Sequence, residues 1–289
     1  MHSRISAIIV NYRQPELTEE AVASVESCCG GNSVSVVVVD NGSADGSLEH
    51  LKKSCAGCTV LDAGGNLGFS GGNNVGIRYA LDHGAEYILL LNNDAAVGRG
   101  AVEALLAAAG PKTIAAPKIV CASDPARVWY GGGHISRMRG GFYHDTDAAS
   151  ANVARDVDFA SGCCMLLPAE FFRECGFMDE RFFLYCEDAE LCLRAERAGY
   201  RIRYEPRAVV RHRVSVSTGG ERSPLAAYYG TRNRLMLLSQ YSFPLAAFVY
   251  VVATRIVKLI SSPFHPAERY VLPGIVDWLN GREGRKEGL

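Results

Sequence analysis

The first 110 residues alternate between short apolar runs and segments in which apolar side chains recur at helical spacing. The runs are rich in Val, Ile and Leu, which is typical of strands buried on both faces of a sheet. They occupy residues 5–11, 33–40, 58–62 and 86–92, and the helical segments occupy residues 15–27, 44–53, 70–84 and 98–110. This alternation predicts an α/β protein with a parallel central sheet and helices on both faces.

Polar side chains stand at the end of each of these four strands. Asn11, Asp40 and Asp62 end the first three, and residues 92–94 (Asn-Asn-Asp) end the fourth. Any one of them could be an ordinary turn former or helix N-cap. The carboxyl ends of parallel strands meet at one edge of a sheet, where ligands bind in folds of this class. Four such ends, with glycine-rich loops beside them, favour a shared cleft.

The second half of the chain is less regular. A glycine-rich stretch with aromatic residues, 128–145, predicts a hairpin or a mobile loop. An aromatic strand is expected at residues 182–185, directly before a helix and a further strand that continues to His212. The remaining predicted elements are a strand at 157–168, a short helix at 168–176, and two helices at 224–241 and 244–260 beyond a break at Thr218-Gly219-Gly220.

Composition and charge are ordinary overall but uneven along the chain. Hydrophobic residues make up 48% and charged residues 21%, and the net charge is −1, so nothing favours nucleic acid as a partner. From Arg222 onward the chain holds nine of its 30 Lys and Arg residues but only four of its 31 Asp and Glu residues. A basic tail on an acidic body indicates a separate surface role for the tail.

The ten cysteines are scattered, and no apolar run with a small-residue cleavage site precedes them. We therefore expect reduced, mostly buried thiols in a cytoplasmic protein. Cys55 and Cys58 have the spacing of zinc ligands, but no second pair completes a set of four, which disfavours a zinc site.

The glycine-rich loop at residues 62–76 has five glycines between positions 64 and 72. It matches neither the G-x-G-x-x-G fingerprint nor the P-loop, which disfavours a Rossmann dehydrogenase or a P-loop enzyme. A loop of this kind that opens a helix offers backbone N–H groups to an anion. The alternative is a flexible loop with no ligand.

Two groups of carboxylates are candidates for chemistry. Asp94 ends a buried strand, and one rigid carboxylate beside neutral amides is half of a Mg²⁺ or Mn²⁺ site, since substrate phosphates and water supply the remaining ligands. Glu187 and Asp188 begin a helix, where carboxylates commonly cap. Delivered there by an aromatic strand, a carboxylate in a partly dry cleft could instead act as a general base. Burial raises its pKa and the helix dipole lowers it, and the sequence leaves the balance open.

Six segments in order carry a resemblance to a known family: IIVNYRQPE, VVVVDNGSADGS, GGNLGFSGGNN, LLLNNDA, FFLYCEDAELCLRAERAGYRI and VVRH. Together they resemble family 2 inverting glycosyltransferases of the GT-A fold, closest to the rhamnosyltransferase-like branch that builds bacterial surface polysaccharides. The likeness spans roughly residues 3–233. It implies a Rossmann-like, mostly parallel sheet with helices on both faces, followed by C-terminal helices. It also implies a catalytic domain at 1–221, with a nucleotide-binding part at about 1–120 and an acceptor part at about 121–221, and a basic helical tail at 222–289.

The resemblance also implies roles for individual residues. Asp94 becomes a metal ligand in a motif whose usual first Asp is here Asn92, Asp188 becomes the catalytic base, and His212 closes the metal site. A histidine ligand favours Mn²⁺ over Mg²⁺, although a lone histidine at a strand end is often structural. Glu190 is given a supporting role only. The implied donor-binding residues are Asn11 and Asp40 for base and ribose, Asn66, Gly68 and Asn73 for ribose and diphosphate, and Asn92, Asn93 and Glu187 beside them.

The implied reaction moves a sugar, with rhamnose the first expectation, from a nucleoside diphosphate-sugar to a hydroxyl of a saccharide or polyprenyl-linked acceptor. Two alternatives stay open from the residues: a sugar-nucleotide nucleotidyltransferase, which normally needs a basic residue in an N-terminal glycine-rich loop, and a non-catalytic nucleotide-sugar-binding protein.

The basic tail leaves further alternatives. Residues 243–253 are eleven residues without a charge, short of the roughly 20 that span a bilayer. A helix there either lies at the inner face of the cell membrane, which suits a lipid-linked acceptor, or packs on the body or at a homodimer contact. Arg232 and Arg234 lie on the preceding helix, and Arg232 either reaches the diphosphate or is simply solvated.

Overall fold

The computed structural model describes residues 3–28, 33–213 and 223–289. Its strands are β1 (Arg4–Asn11), β2 (Ser33–Asp40), β3 (Thr59–Asp62), β4 (Tyr87–Asn92), β5 (Ala95–Val97), β6 (Thr113–Cys121), β7 (Asp124–Tyr130), β8 (Gly133–Ser136), β9 (Gly141–His144), β10 (Arg155–Val157), β11 (Cys164–Pro168) and β12 (Arg201–His212). Its α-helices are α1 (Pro15–Ser27), α2 (Ser47–Ser54), α3 (Gly68–Asp82), α4 (Ala101–Ala108), α5 (Ala169–Cys175), α6 (Glu187–Arg197), α7 (Pro224–Gln240), α8 (Leu245–Ser261) and α9 (Val271–Leu279).

The predicted parallel strands are present and in register. The central sheet has the order β10-β12-β6-β11-β4-β1-β2-β3, and β4, β1, β2 and β3 are mutually parallel. Asn11 lies opposite Asp40, Asp40 lies opposite Asp62, and Val10 lies opposite Asn92. The four polar strand ends therefore meet at one edge of the sheet, as the hydrophobic pattern predicted.

The other half of the sheet is mixed rather than mostly parallel. β11 is antiparallel to both β4 and β6, while β12 returns parallel to β6. β6 was not anticipated from the sequence, because Pro117 and Lys118 interrupt its apolar run and its alanines have low strand propensity. The mixed sheet with flanking helices retains the α/β class.

The predicted aromatic strand at residues 182–185 was wrong. These residues form a loop, in which Tyr185 and Cys186 have positive φ values of 67° and 71°. Two successive left-handed residues cannot continue an extended strand, although aromatic side chains favour strands in general. The loop still leads directly into α6, so the carboxylates at that helix start are delivered as expected.

The tail is helical, as predicted, with α7 and α8 in the expected places and α9 in addition. Across the described ranges, no helix combines the length and apolarity needed to cross a membrane. The division between body and tail at residues 221 and 222 stays a prediction, because residues 214–222, including the Thr218-Gly219-Gly220 break, lie outside the described residues.

The cysteines in the described ranges are free thiols, most of them buried, and Cys29 lies outside these ranges. Cys58 donates to Glu26 rather than joining a ligand set. Within the same ranges, no three His, Cys, Asp or Glu residues cluster closely enough to form a complete metal site by themselves.

Candidate active site

A cleft of about 530 Å³ opens beyond the carboxyl ends of the parallel strands. Most of the residues singled out from the sequence line it, namely Asn66, Gly68, Asn73, Asn92, Asn93, Asp94, Glu187, Asp188 and His212. The structure does not bring Asn11, Asp40 or Arg232 into the lining.

Asp94 and His212 come together because a short strand pairs with a distant one. β5 begins at Ala95, and its antiparallel pairing with β12 places Ala95 opposite His212. The Nε2 atom of His212 lies 3.2 Å from Oδ1 of Asp94, and both side chains are almost fully buried. The indole ring of Trp129 packs edge-on against the imidazole, with ring centroids 4.5 Å apart.

This pair fits a divalent cation that a substrate phosphate completes. It offers one carboxylate oxygen and one imidazole nitrogen, a donor set that suits Mn²⁺. These two residues would hold such an ion between them. Beside them, Oδ1 of Asn92 is buried without a hydrogen-bond partner among the described residues, so the cleft also offers a polar atom to a ligand.

Asp188 is held rigidly at the start of α6. Its Oδ2 accepts a hydrogen bond of 3.0 Å from the backbone N–H of Gly162, and its Oδ1 accepts one of 2.8 Å from that of Ala189. Burial nevertheless raises the pKa of Asp188, against the lowering effect of these hydrogen bonds. Burial, followed by repulsion from Asp188, raises the pKa of Glu187 well above its usual range. At this helix start, desolvation therefore raises the carboxylate pKa values more than the backbone N–H donors lower them. The sequence had left this balance open.

The turn at Gly162 and Cys163 links Asp188 to β4, the strand that leads to Asp94. The backbone N–H of Asn92 donates to the carbonyl oxygen of Cys163 at 2.8 Å, while Gly162, one residue earlier, donates to Asp188. Asp94 and Asp188 therefore belong to one cleft and not to opposite sides of the molecule.

The glycine-rich loop is fixed by contact with the loop before α6. Gly68 has a φ of 74°, and a Cβ atom there would collide with the carbonyl oxygen of Phe183. The backbone N–H of Phe69 donates to that same carbonyl at 2.8 Å. Gly68 also donates to Oδ1 of Asn66, and Asn73 donates to the carbonyl of Phe69. Glycine is required here because two backbones approach closely, so the loop is not a flexible linker.

Asn11 and Asp40 are buried and lie outside the cleft lining, so their expected contact with base and ribose stays a prediction. Asn11 donates to Asp40 at 2.7 Å and accepts from Thr18 at 2.8 Å. Asp40 also accepts from the backbone and hydroxyl of Ser43. The residues that directly follow them, Tyr12 and Asn41, line the cleft.

Arg232 lies outside the cleft lining as well and is 1% exposed within α7. Its guanidinium donates to the carbonyl of Gly284 at 2.8 Å and to Oδ1 of Asn233 at 2.9 Å, and it packs over the rings of Tyr228 and Tyr229. These contacts give Arg232 a structural role in the tail, and the expected diphosphate contact stays a prediction.

Several lining residues were missed from the sequence. Trp129 in β7 and His144 in β9 both line the cleft. Both lie in the glycine-rich aromatic stretch 128–145, which was the sequence feature that could have indicated them. Burial lowers the pKa of His144 to about 4, so the ring is neutral near pH 7. The turn at residues 161–163 and Arg285 in the tail carried no sequence signal.

Comparison with known proteins gives a consistent picture. The family model described as "Glycosyl transferase family 2" matches residues 6–176. The low-salt glycan biosynthesis hexosyltransferase Agl10 of Haloferax volcanii is 28% identical over 295 residues, which cover 97% of this chain and 92% of that protein. The N-acetylglucosaminyl-diphospho-decaprenol L-rhamnosyltransferase of Mycobacterium tuberculosis is 30% identical over 252 residues, 78% of this chain and 81% of its own. The dTDP-rhamnosyl transferase RfbF of Shigella flexneri is 26% identical over 308 residues, with coverages of 98% and 97%.

Solved structures share the fold at lower identity. GalNAc-T7 with UDP, GalNAc and Mn²⁺ superimposes with a TM-score of 0.65 at 15% identity over 82% of this chain, which spans about half (48%) of that longer protein. The mannosyltransferase PcManGT of Pyrobaculum calidifontis, in complex with GDP-Man and Mn²⁺, gives a TM-score of 0.59 at 16% identity, covering 97% and 80% of the two chains. The fold is thus GT-A.

Proposed function

This chain belongs to glycosyl transferase family 2, and from that premise we propose that it is an inverting, metal-dependent transferase acting on a nucleoside diphosphate-sugar. The observation that carries the proposal is the single cleft in which the Asp94–His212 pair and the carboxylate of Asp188 both stand. The acceptor is a hydroxyl of a saccharide or lipid-linked saccharide in cell-surface polysaccharide synthesis.

In this proposal Asp188 is the general base. Its carboxylate takes the proton of the acceptor hydroxyl while that oxygen attacks the anomeric carbon from the face opposite the diphosphate. The new carbon–oxygen bond forms as the bond to phosphate breaks, and the electron pair leaves with the diphosphate. One displacement inverts the anomeric centre, so no covalent enzyme nucleophile is needed, unlike the two-carboxylate retaining glycosidases.

Asp94 and His212 would hold Mn²⁺ or Mg²⁺ on the donor side of the cleft. Such an ion supplies Lewis-acid stabilisation of the charge on the departing diphosphate. Two structural neighbours contain Mn²⁺, and the imidazole nitrogen in the donor set favours the same ion.

Rhamnose from a thymidine nucleotide is the proposed donor. Two of the relatives described above carry rhamnosyl transfer in their names, and one names a dTDP-sugar. The decaprenol in one name supports a polyprenyl-linked acceptor. A cytoplasmic location, expected from the reduced cysteines, stays a prediction.

The direct test is a thermal-shift panel of nucleotide sugars, including dTDP-rhamnose, UDP-sugars and GDP-mannose, each with and without Mn²⁺. A donor at 100 times its dissociation constant should stabilise the fold by about 2.7 kcal/mol, a rise of several degrees for a chain of this size. We expect the largest shift with dTDP-rhamnose plus Mn²⁺. The absence of any shift across the panel would contradict the proposed function, while a larger shift with another sugar would correct only the donor.

We also propose that α8 rests on a membrane surface. Ala247, Val251 and Arg255 face the body and are buried, while the opposite face is apolar and open. Leu245 is 77% exposed and Ile260 73% exposed, and Val249 and Ile256 continue the same stripe. An apolar helix face on a basic tail is the pattern of an interfacial helix, and it suits an acceptor anchored in lipid.

Vesicle sedimentation tests this face. Wild type should pellet with vesicles containing a third phosphatidylglycerol, and the triple variant Val249→Gln, Ile256→Gln, Ile260→Gln should stay in the supernatant. The matched control is Met138→Gln with Val153→Gln, which changes exposed apolar residues elsewhere and should pellet like wild type. If the triple variant instead converts a dimer to a monomer in light scattering without changing vesicle binding, the face is a homodimer contact.

A further inference from the structure

The chain beyond α9 returns to the mouth of the active-site cleft. We call residues 281–289 the strap. The backbone N–H of Gly284 donates to the carbonyl of Arg181 at 3.0 Å, and the carbonyl of Gly284 accepts from Arg232 at 2.8 Å. Two residues later, the backbone N–H of Lys286 donates to the hydroxyl of Tyr229 at 2.8 Å. The strap is therefore pinned on both sides of position 285.

Buried charge reinforces this anchoring. Asp277 in α9 is 2% exposed and receives the ammonium of Lys286 at 2.7 Å and the guanidinium of Arg282 at 3.0 Å. Its other partner is the hydroxyl of Tyr228, also at 2.7 Å. Two of the strap's cations are thus used to attach it to the tail.

Arg285 is the cation that remains. It lines the cleft and is the only Lys or Arg to do so among the described residues. Unlike its neighbours, it has no hydrogen bond or ion pair within the part of the chain that the structure describes. The hydrogen bonds of Gly284 and Lys286 fix the backbone on either side of Arg285, whose side chain is exposed at the rim of the cleft. The same cleft contains three carboxylates, Asp94, Glu187 and Asp188.

A diphosphate needs compensating positive charge in such an acidic cleft. Arginine binds phosphate oxygens through the planar fork of N–H donors on its guanidinium. These hydrogen bonds are charge-assisted and therefore stronger than hydrogen bonds between neutral groups. We propose that Arg285 binds a substrate diphosphate in the active-site cleft, so that the strap completes the binding site. This inference rests on the proposed function, and the diphosphate belongs either to the nucleotide donor or to a lipid diphosphate on the acceptor.

Titration calorimetry with Mn²⁺ present tests the proposal, using dTDP, UDP and inorganic pyrophosphate as probes. If Arg285 binds the donor diphosphate, Arg285→Ala should weaken binding of these probes by about 10- to 100-fold, and Arg285→Lys should lie between it and wild type, because lysine keeps the charge but loses the fork. The matched control is Arg269→Ala, which removes the same charge from an exposed site outside the cleft lining and should bind like wild type. The melting temperature of Arg285→Ala should stay close to that of wild type, since the Arg285 side chain makes no hydrogen bond or ion pair with the residues that the structure describes.

Nucleotide dissociation constants and steady-state KM values together show whether Arg285 binds the diphosphate of the donor or that of the acceptor. If Arg285 serves the donor, the dissociation constants for dTDP or UDP rise in Arg285→Ala. If it serves the acceptor, those constants are unchanged and KM for a prenyl-diphosphate saccharide rises about 10-fold while KM for the donor does not. Equal nucleotide binding and equal acceptor KM in wild type and Arg285→Ala would overturn the inference alone. Failure of wild type to bind any nucleoside diphosphate would overturn the proposed function as well.

Discussion

Replacing Asp188 by asparagine should lower kcat by a factor of about 10² to 10⁴, the usual contribution of a general base, with donor KM nearly unchanged. The reason is that, in the proposed mechanism, the carboxylate acts on the acceptor proton in the transition state and is not needed for donor binding. Steady-state kinetics with saturating donor, together with calorimetric titration of the nucleoside diphosphate, provides the measurement.

The matched control for this variant is Glu187→Gln, the neighbouring carboxylate in the same cleft. Its side chain lies at the same helix start but lacks the two backbone N–H donors that orient Asp188, so its loss of kcat should be much smaller. If Glu187→Gln were the more damaging change, the base would be Glu187. Full activity in Asp188→Asn would exclude a catalytic role for Asp188. Binding of a nucleotide sugar without turnover in wild type would instead favour the non-catalytic alternative.

The pH profile has a definite sign. Burial raises the pKa of Asp188, and a base must be deprotonated, so kcat should fall as pH decreases through that raised pKa. The free energy of unfolding changes with pH in the opposite direction. The fold favours the protonated form of Asp188, so this group stabilises the fold fully below its ordinary pKa. That stabilisation is lost as pH rises through the raised pKa of Asp188. Asp188→Asn, which is always neutral, should therefore regain this contribution near pH 7, partly offsetting the backbone donor that it no longer satisfies.

Asp94→Ala should lower kcat/KM by about 10³-fold or more, since Lewis-acid stabilisation of a departing diphosphate is worth several kcal/mol. It should also abolish the Mn²⁺-dependent part of the thermal shift produced by a nucleoside diphosphate. The second readout does not depend on turnover, so it separates lost metal binding from damaged chemistry.

Asp62→Ala is the matched control, because Asp62 ends β3, another parallel strand at the same sheet edge, but lies outside the cleft lining. It should keep the Mn²⁺-dependent shift. His212→Ala should weaken Mn²⁺ binding while retaining some activity, because the carboxylate remains. An unchanged Mn²⁺ response in Asp94→Ala would contradict the metal role of Asp94 and remove the main support for the site.

The nucleotidyltransferase alternative gains no support from the structure. Such an enzyme places a basic residue in its N-terminal glycine-rich loop, whereas the glycine-rich loop here follows β3 and packs by Gly68 against Phe183. The only cation that lines the cleft among the described residues comes instead from the other end of the chain, at Arg285.

Local pattern was sufficient for the first half of the molecule. Apolar runs of strand length, separated by amphipathic helices, determined four parallel strands, and the parallel rule then placed Asn11, Asp40, Asp62 and Asn92 at one edge. The candidates Asp94 and Asp188 were also readable, because each stands at an element boundary marked by a change from apolar to charged residues. Such signals depend only on residues close in the chain.

Tertiary structure alone decided which boundary residues line the cleft. Asn11 and Asp40 lie outside the cleft lining, buried contacts hold Arg232 within the tail, and the pairing of β5 with β12 brings His212 to Asp94. The turn that links Asp188 to β4 and the strap that presents Arg285 likewise join segments far apart in the chain. The sequence by itself determined the strands, the helices and the charged groups at their ends, because these follow from local periodicity; register, side-chain direction and long-range pairing depend on packing across the whole sheet, which no local pattern encodes.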